Sequence, residues 1–363
     1  MLFANYTHFF VFLLHIPISM RVGMIFGDVQ INLRDYFEFY RPVLYALVFT
    51  FSFLVFSESV NIRKLDSILP YIFIGIVILG LNQLFGIYDA LSLLYTKAHN
   101  VKTHRVSTPF INPYDFAFMI TFFILLFFFK LVYSNKFFSL PLVVAVVMLI
   151  LPQSRSAVGS FLIGFFILLP VTLLFLEYLR RPGFLSYKFV FLQFIILSMI
   201  VVFLMTINFL IENFSYLTGQ FIRLLEGKGI GRSGNIRIEQ FLFALDKANH
   251  PLILLFGNGP AKSELEYVES IHNYQFYRYG LTGLLLYFLV PICCGIFYSW
   301  NILRAIGHRH PLYPLFLCVF IWYLLISALS IGNNFTEQVR LSFFFYSTLG
   351  MLASVNATFS SSG

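Results

Sequence analysis

The sequence has few charged residues: Asp, Glu, Lys and Arg make up 11% of the chain, whereas soluble domains have roughly a quarter. A chain of 363 residues that is 59% hydrophobic has too few polar side chains to cover a water-soluble fold. Its apolar runs approach the roughly 20 residues that cross a bilayer, and lipid favours helices because it offers the backbone no hydrogen bonds. The composition therefore predicts an all-α polytopic membrane protein.

Cysteine is scarce as well, and the three residues Cys293, Cys294 and Cys318 lie in apolar runs without metal-ligand spacing. We therefore expect no metal and no cofactor. The net charge of +8 comes from scattered rather than clustered basic residues, which predicts contacts with membrane lipid or an anionic substrate and no nucleic-acid partner. Acidic residues are almost absent from the apolar runs, which argues against an ion-coupled transporter.

The apolar runs predict about ten transmembrane helices. We expect them near residues 8–26, 42–57, 69–88, 114–133, 137–152, 157–178, 189–211, 274–299, 312–331 and 341–358. This divides the chain into helices one to seven (1–211), a large hydrophilic loop (212–272) and helices eight to ten (273–363). Short loops on the N-terminal side hold slightly more Lys and Arg, so both termini are expected in the cytoplasm and the large loop in the periplasm.

The large loop begins with a glycine-rich stretch, residues 227–234. Part of it matches G-x-G-x-x-G, but no strand precedes the motif, so we reject a dinucleotide site and expect a flexible segment. Residues 235–245 have apolar side chains at 238, 241, 242 and 245, a spacing that predicts an amphipathic helix lying over the bundle. Arg237 stands at its start, and residues 256–260, Phe-Gly-Asn-Gly-Pro, predict a tight turn.

Three positions combine charge or a titratable ring with the expected membrane boundary. Arg155 lies between two apolar runs, flanked by serines, where a charge is costly unless it snorkels to the surface or binds an anion. Arg105 belongs to a basic loop with no acid between Lys97 and Tyr114. His272 precedes Asn273 and several aromatic residues, a composition that suits either a structural histidine or a sugar-binding surface.

These segments resemble, in order, motifs of the bacterial O-antigen ligase/polymerase superfamily, and most closely those of the O-antigen polymerases. The similar segments are the first-loop stretch 33–42, Arg105 with Phe110-Ile-Asn-Pro113, Ser154-Arg-Ser156, Arg237 with Phe241 in place of the usual Trp, Phe256–Pro260, and His272-Asn-Tyr274 with Gly280. The resemblance covers most of the chain in pieces. It implies a GT-C-like helical membrane architecture with one large helical periplasmic loop.

The resemblance also implies an activity: joining oligosaccharide repeat units carried on undecaprenyl diphosphate, at the periplasmic face of the inner membrane, without metal or nucleotide. Arginines suit the departing diphosphate because guanidinium groups bind phosphate oxygens bidentately. We therefore assign catalytic roles to Arg155, Arg237 and His272. Secondary, substrate-binding candidates are Arg105, Arg34, Arg232, Arg278 and Arg340. The expected partners are the lipid-linked donor and acceptor, membrane lipid and a polysaccharide co-polymerase that regulates chain length.

Two alternative activities stay open at this point. An O-antigen ligase would transfer finished polysaccharide to lipid A–core, and the first-loop stretch favours the polymerase over it. A flippase or other transporter of lipid-linked oligosaccharides would have short loops on both sides and polar residues within its spans. The large loop 212–272 and the near absence of acidic residues from the spans count against it.

Overall fold

A computed structural model of the chain describes residues 2–102, 105–134, 136–180, 232–264, 268, 270–307, 309–330, 334–336 and 338–361, with isolated residues between 197 and 226. The regular structure of these residues is helical throughout. Most of the predicted span 189–211 and of residues 212–231, including the glycine-rich residues 227–231, lies outside the described residues.

The described helices are numbered in chain order. They are α1 Leu2–Phe26, α2 Leu33–Tyr36, α3 Tyr40–Val55, α4 Ser59–Phe85, α5 Asp89–Leu93, α6 Ala98–Lys102, α7 Pro113–Tyr133, α8 Ser139–Ile150, α9 Arg155–Ile163, α10 Leu169–Arg180, α11 Arg232–Lys247, α12 Pro251–Phe256, α13 Ile271–Gly283, α14 Val290–Ala305, α15 Tyr313–Leu329 and α16 Val339–Ser361. Short 3₁₀ turns precede α3 and α8, and π-helical turns join α9 to α10 and α13 to α14.

Six described helical segments are long and apolar enough to cross a bilayer, which is the character of a helical membrane protein. They are Thr7–Phe26, Leu33–Val55, Val60–Phe85, Pro113–Tyr133, Ala157–Leu174 and Ile271–Ala305. The predicted span 137–152 is shorter in the structure: α8 has 12 residues and is about 18 Å long, less than the roughly 30 Å hydrocarbon core. Helix α15 is apolar but has 17 residues, and the long α16 has Ser, Thr and Asn along its length.

The described chain divides into two compact units. The first contains residues Met1–Ser67, Arg232–Gly307 and Ser330–Gly363. In it α3 packs closely on α16, because Gly350 allows the two backbones to approach: a Cβ there would lie 2.4 Å from the Phe49 carbonyl oxygen. The rings of Tyr45 and Tyr346 stack across this contact with centroids 4.4 Å apart.

The second unit contains residues Ile68–Gly231 and His308–Leu329. Helix α7 forms its centre, since apolar side chains, many of them Phe, occur on every face of this helix and almost all of them are buried. Trp322 of α15 meets the rings of Phe118 and Phe122 edge-on. Gly164 lets α15 come close, because a Cβ there would lie 2.2 Å from a methyl carbon of Leu325.

The segment Ile271–Ala305 is not one straight helix. Gly280 has φ 66° and ψ −163°, a conformation open only to glycine. The ring centroids of His272 and Phe288 are 4.8 Å apart, whereas a straight helix separates residues 16 positions apart by about 24 Å. The chain therefore folds back at Gly280, and residues 271–279 lie along the helix that follows. The predicted span 274–299 lies within the candidate segment Ile271–Ala305, whose residues before Gly280 fold back.

The amphipathic helix of the large loop is present as α11, with two corrections. It begins at Arg232 rather than near 235, so Arg232–Gly234 are helical and Arg237 lies in the second turn. The predicted packing stripe, residues 238, 241, 242 and 245, is exposed. The buried side chain is Ala244, which packs with Val29, Ala261 and Tyr277.

Candidate functional site

The first-loop stretch supplies a buried carboxylate that joins two loops of the first unit. Asp35 is fully buried in α2. One of its oxygens accepts a hydrogen bond from the backbone N–H of Asn32 (2.8 Å), and the other accepts one from the backbone N–H of Lys262 (3.1 Å). The loop that precedes α3 is thereby attached to the loop that follows α12.

A second buried carboxylate, Glu38, lies one turn further along. It is 2% exposed and forms ion pairs with Arg41 Nε (3.0 Å) and with the Lys262 ammonium. Arg41 Nη1 donates a hydrogen bond to the Tyr274 hydroxyl (3.1 Å). Buried charges that are paired in this way hold their surroundings firmly, since removing one partner leaves the others without compensation. The network therefore fixes the folded-back segment against the start of α3.

A small cavity lies beside this network, within the first unit. Its walls contain six aromatic rings and four polar side chains: Phe12, Tyr45, Tyr274, Tyr279, Tyr287, Tyr346, Glu38, Arg41, Gln275 and Thr336. It measures about 260 Å³ with its open mouth included, and it has room for about one water molecule between its walls. Ring faces with a few polar groups are the usual lining of a site for a small organic ligand.

Gly280 and Gly257 make the fold-back beside this cavity close-packed. A Cβ on Gly280 would lie 2.4 Å from the Leu255 carbonyl oxygen, and a Cβ on Gly257 would lie 2.4 Å from the Arg278 carbonyl. Gly257 has φ 77°, which confirms the turn predicted at 256–260. The Asn258 N–H donates to the Tyr277 carbonyl at 3.1 Å. The sequence segments 256–260 and 272–280 thus pack directly on each other.

The structure has two of the three residues predicted to be catalytic on adjoining helices. Arg237 on α11 and His272 on α13 are both half-buried. The side-chain amide of Asn273 donates to the Arg237 carbonyl oxygen at 3.0 Å, which joins the two helices at this point. His272 shares a helix face with Gln275 and Tyr279, at spacings of three and seven residues, and both of those residues line the cavity.

The secondary arginines of the first unit have different surroundings. Arg278 is fully buried, and its guanidinium lies over the Tyr274 ring, 4.2 Å from the centroid, so its role in this structure is to support the cavity wall. Arg34 in α2 and Arg340 at the start of α16 are exposed. Arg232 is the first residue of α11, and its side chain lies outside the described residues.

Arg105 and Arg155 belong to the second unit, and the structure brings them to one turn. Arg105 Nε donates to the carbonyl oxygen of Pro152 at 3.3 Å, three residues before Arg155. Arg155 is the first residue of α9, behind the N-cap Ser154. A cation there opposes the helix dipole, so helix stability does not explain it, whereas the same N–H groups and charge favour a bound anion.

Gln83 holds the Arg105 loop in position. This fully buried side chain accepts from the backbone N–H groups of Ser107 (2.8 Å) and Thr108 (3.0 Å), and it donates to the Arg105 carbonyl at 2.7 Å. The Arg105 guanidinium lies 5.8 Å from the Tyr114 ring centroid. The loop that carries Arg105 is therefore fixed by side-chain hydrogen bonds rather than by regular structure.

Sequence reasoning missed several residues of the cavity and of the ion-pair network beside it. Glu38 and Arg41 lay in a stretch that had been singled out as a whole, and their spacing of three residues on a short helical turn was the available signal. Lys262 and Gln275 gave no local signal, because they reach the site through the turn at 256–260 and the fold-back at Gly280. Among the described residues, no group of three His, Cys, Asp or Glu side chains is arranged to hold a metal ion.

Comparisons of the chain with protein-family models, with curated proteins and with solved structures find no match.

Proposed function

We propose that this membrane protein is a glycosyltransferase that polymerises oligosaccharide repeat units carried on undecaprenyl diphosphate. The proposed site faces the periplasm, in the bacterial inner membrane. The observation that carries the proposal is the aromatic cavity with its Glu38–Arg41 ion pair, next to the helices that bear Arg237 and His272. Sugar rings bind through their C–H faces on aromatic rings and through hydroxyl hydrogen bonds to side chains of this kind.

The proposed reaction needs no redox chemistry. A hydroxyl oxygen of the acceptor unit attacks the anomeric carbon of the donor chain, and the bond from that carbon to the diphosphate oxygen breaks. His272 takes the hydroxyl proton, and the electron pair leaves on undecaprenyl diphosphate. In this scheme the acceptor sugar occupies the mouth of the cavity, because the space between its walls is smaller than a sugar ring.

The negative charge that develops on the leaving diphosphate requires hydrogen-bond donors. Arg237 is the candidate donor of the first unit, and the Arg105–Arg155 turn with the N–H groups of α9 is the candidate anion site of the second; each is proposed on its own. Removing one well-positioned donor to developing charge costs about 2.7–4 kcal/mol, or roughly 10²–10³ in rate. We therefore expect Arg155→Ala and Arg237→Ala each to reduce polymerisation by about two to three orders of magnitude.

A strain that lacks this gene tests the proposal. Its lipopolysaccharide should end at one repeat unit on the core, and the wild-type gene should restore a ladder of long chains. Arg155→Ala, Arg237→Ala and His272→Ala should each fail to restore it at equal membrane abundance. Arg304→Ala, at the exposed end of α14, serves as the matched control and should restore the ladder.

Other outcomes identify other activities. Bare core with accumulated lipid-linked polymer would indicate a ligase, and repeat units held on the cytoplasmic leaflet would indicate a transporter. Full ladders from all three variants would contradict the site assignment.

A further inference from the structure

The described residues leave an apolar stripe on the surface of α11 about half exposed, although its Phe241 ring lies 6.4 Å from the Phe276 ring. Ile238, Phe241, Leu242 and Leu245 recur at spacings of three, four and seven residues, so they form one stripe along the helix. They are 45%, 45%, 57% and 44% exposed. Four half-exposed large side chains on one helix are unusual for a surface in contact with water.

The packed side of α11 is a different face. Ala244 is buried against Val29, Ala261 and Tyr277. The Arg237 carbonyl accepts from Asn273 at 3.0 Å. At the C-terminal end, the Lys247 ammonium pairs with Glu264 at 3.1 Å. The helix is therefore held in place by its other contacts, and the stripe is available to a further occupant.

The neighbourhood of α11 lies at the end of a membrane span. Helix α12 begins at Pro251, shortly after α11 ends, and the ring of the preceding His250 stacks on Phe26 with centroids 4.3 Å apart. Phe26 is the last residue of the candidate span Thr7–Phe26. In this region α12 exposes Leu254 and Leu255, and the end of α1 exposes Ile25 and Phe26. Exposed apolar side chains at the end of a span face the boundary between acyl chains and headgroups.

We propose that α11 is an interfacial helix whose stripe inserts into the phospholipid bilayer. Amphipathic helices of this kind lie in the membrane plane with the apolar face roughly 5–10 Å below the headgroups. The exposed charged residues next to the stripe, Glu239 and Asp246, are acidic. Burial of the apolar side chains, rather than electrostatic attraction, therefore drives the insertion, and anionic lipid is not required.

Insertion would also set the depth of Arg237 relative to the bilayer. This residue lies on α11 outside the stripe, so a helix held in the interface keeps its side chain near the headgroup level. This consequence rests on the proposed function, in which a lipid-linked diphosphate occupies the same level. The insertion itself does not depend on that activity, because it follows from the exposed stripe and the contacts of α12 with α1.

Fluorescence quenching in nanodiscs of phosphatidylcholine tests the insertion. Cysteine is introduced as Leu242→Cys, and separately as Leu245→Cys, in the full chain with Cys293 and Cys294 changed to alanine; the remaining Cys318 is fully buried. Each protein is labelled with the environment-sensitive dye NBD. Glu239→Cys, labelled in the same way, is the matched control on the polar side of α11.

We expect blue-shifted emission at positions 242 and 245, with several-fold stronger quenching by lipid that carries a nitroxide near the top of its acyl chain than by aqueous iodide. Position 239 should show the reverse. Aqueous quenching at both 242 and 245 would overturn the proposal, as would shielding from both quenchers, which would mean that protein covers the stripe. If polymerisation fails in separate assays while lipid quenching persists, the activity is wrong and the interfacial helix stands.

Discussion

Replacing Gly280 by alanine is the sharpest perturbation of this fold. Gly280 has φ 66° and ψ −163°, and holding a non-glycine residue in such a conformation costs about 1–3 kcal/mol. The added Cβ would also lie 2.4 Å from the Leu255 carbonyl oxygen, 2.5 Å from the Leu255 carbonyl carbon and 2.7 Å from the Gly257 nitrogen. All three are backbone atoms that cannot rotate away.

Overpacking of this kind adds about 1–3 kcal/mol, so Gly280→Ala should lower the free energy of unfolding by about 2–6 kcal/mol. That is a large share of the roughly 5–15 kcal/mol of a typical native protein. Thermal unfolding of the detergent-solubilised protein, followed by intrinsic Tyr and Trp emission, should show a midpoint several degrees below wild type. Gly75→Ala is the matched control, because nothing lies within 4 Å of its Cβ position, and it should not lower the midpoint.

Cross-linking checks the geometry that underlies this expectation. His272→Cys with Phe288→Cys, in a protein with Cys293 and Cys294 changed to alanine, should be joined readily by a short bifunctional thiol cross-linker, because the native rings are 4.8 Å apart. A straight helix would hold the two positions about 24 Å apart. An unchanged unfolding midpoint for Gly280→Ala, together with no cross-link, would refute the fold-back.

Variants at three further positions test the networks around the candidate site by the same thermal assay. Glu38→Ala leaves two cations without their buried carboxylate and should cost about 3 kcal/mol, with a smaller loss for Glu38→Gln. Gln83→Ala leaves buried backbone groups of the Arg105 loop without their hydrogen-bond partner and should lower the free energy of unfolding by about 3 kcal/mol. It should also lower polymerisation. Tyr274→Phe removes one hydrogen bond from Arg41 and keeps the ring beneath Arg278, so it should cost about 1 kcal/mol. A wild-type midpoint for Glu38→Ala or Gln83→Ala would contradict the corresponding network.

The apolar runs were the part of the fold that the sequence could predict. Lipid and buried helices both require long apolar segments, so α1, α3, α4 and α7 appear close to their expected positions. Hydropathy cannot separate a span from a buried helix, however. Helix α8 is apolar yet has only 12 residues, and it packs on α7 within the second unit.

The sequence pattern did not predict the fold-back at Gly280. Its aromatic neighbours continue an apolar helical spacing on both sides, and one glycine within a helix is ordinary. Glycine is required at this position by its positive φ and by the close approach of the Leu255 and Gly257 backbone. For α11 the spacing predicted a helix with one apolar stripe, but not whether protein or lipid lies against that stripe, since both favour the same residues.

Part of the candidate site could be predicted from the sequence. Arg237 and His272 were chosen separately and lie on adjoining helices, because Asn273 joins them. Arg105 and Arg155 likewise meet at one turn. The partners of Glu38 come from positions 41 and 262, and a pairing over more than 200 residues leaves no trace in a single sequence.

The proposed function requires this chain to join lipid-linked repeat units by itself. Purified protein in nanodiscs, given only undecaprenyl-diphosphate-linked repeat units, should produce a ladder of longer lipid-linked chains on a gel and release undecaprenyl diphosphate. The ladder should persist in the presence of EDTA and without any nucleotide. Repeat units that stay single, with a folded protein confirmed by its unfolding midpoint, would contradict the account.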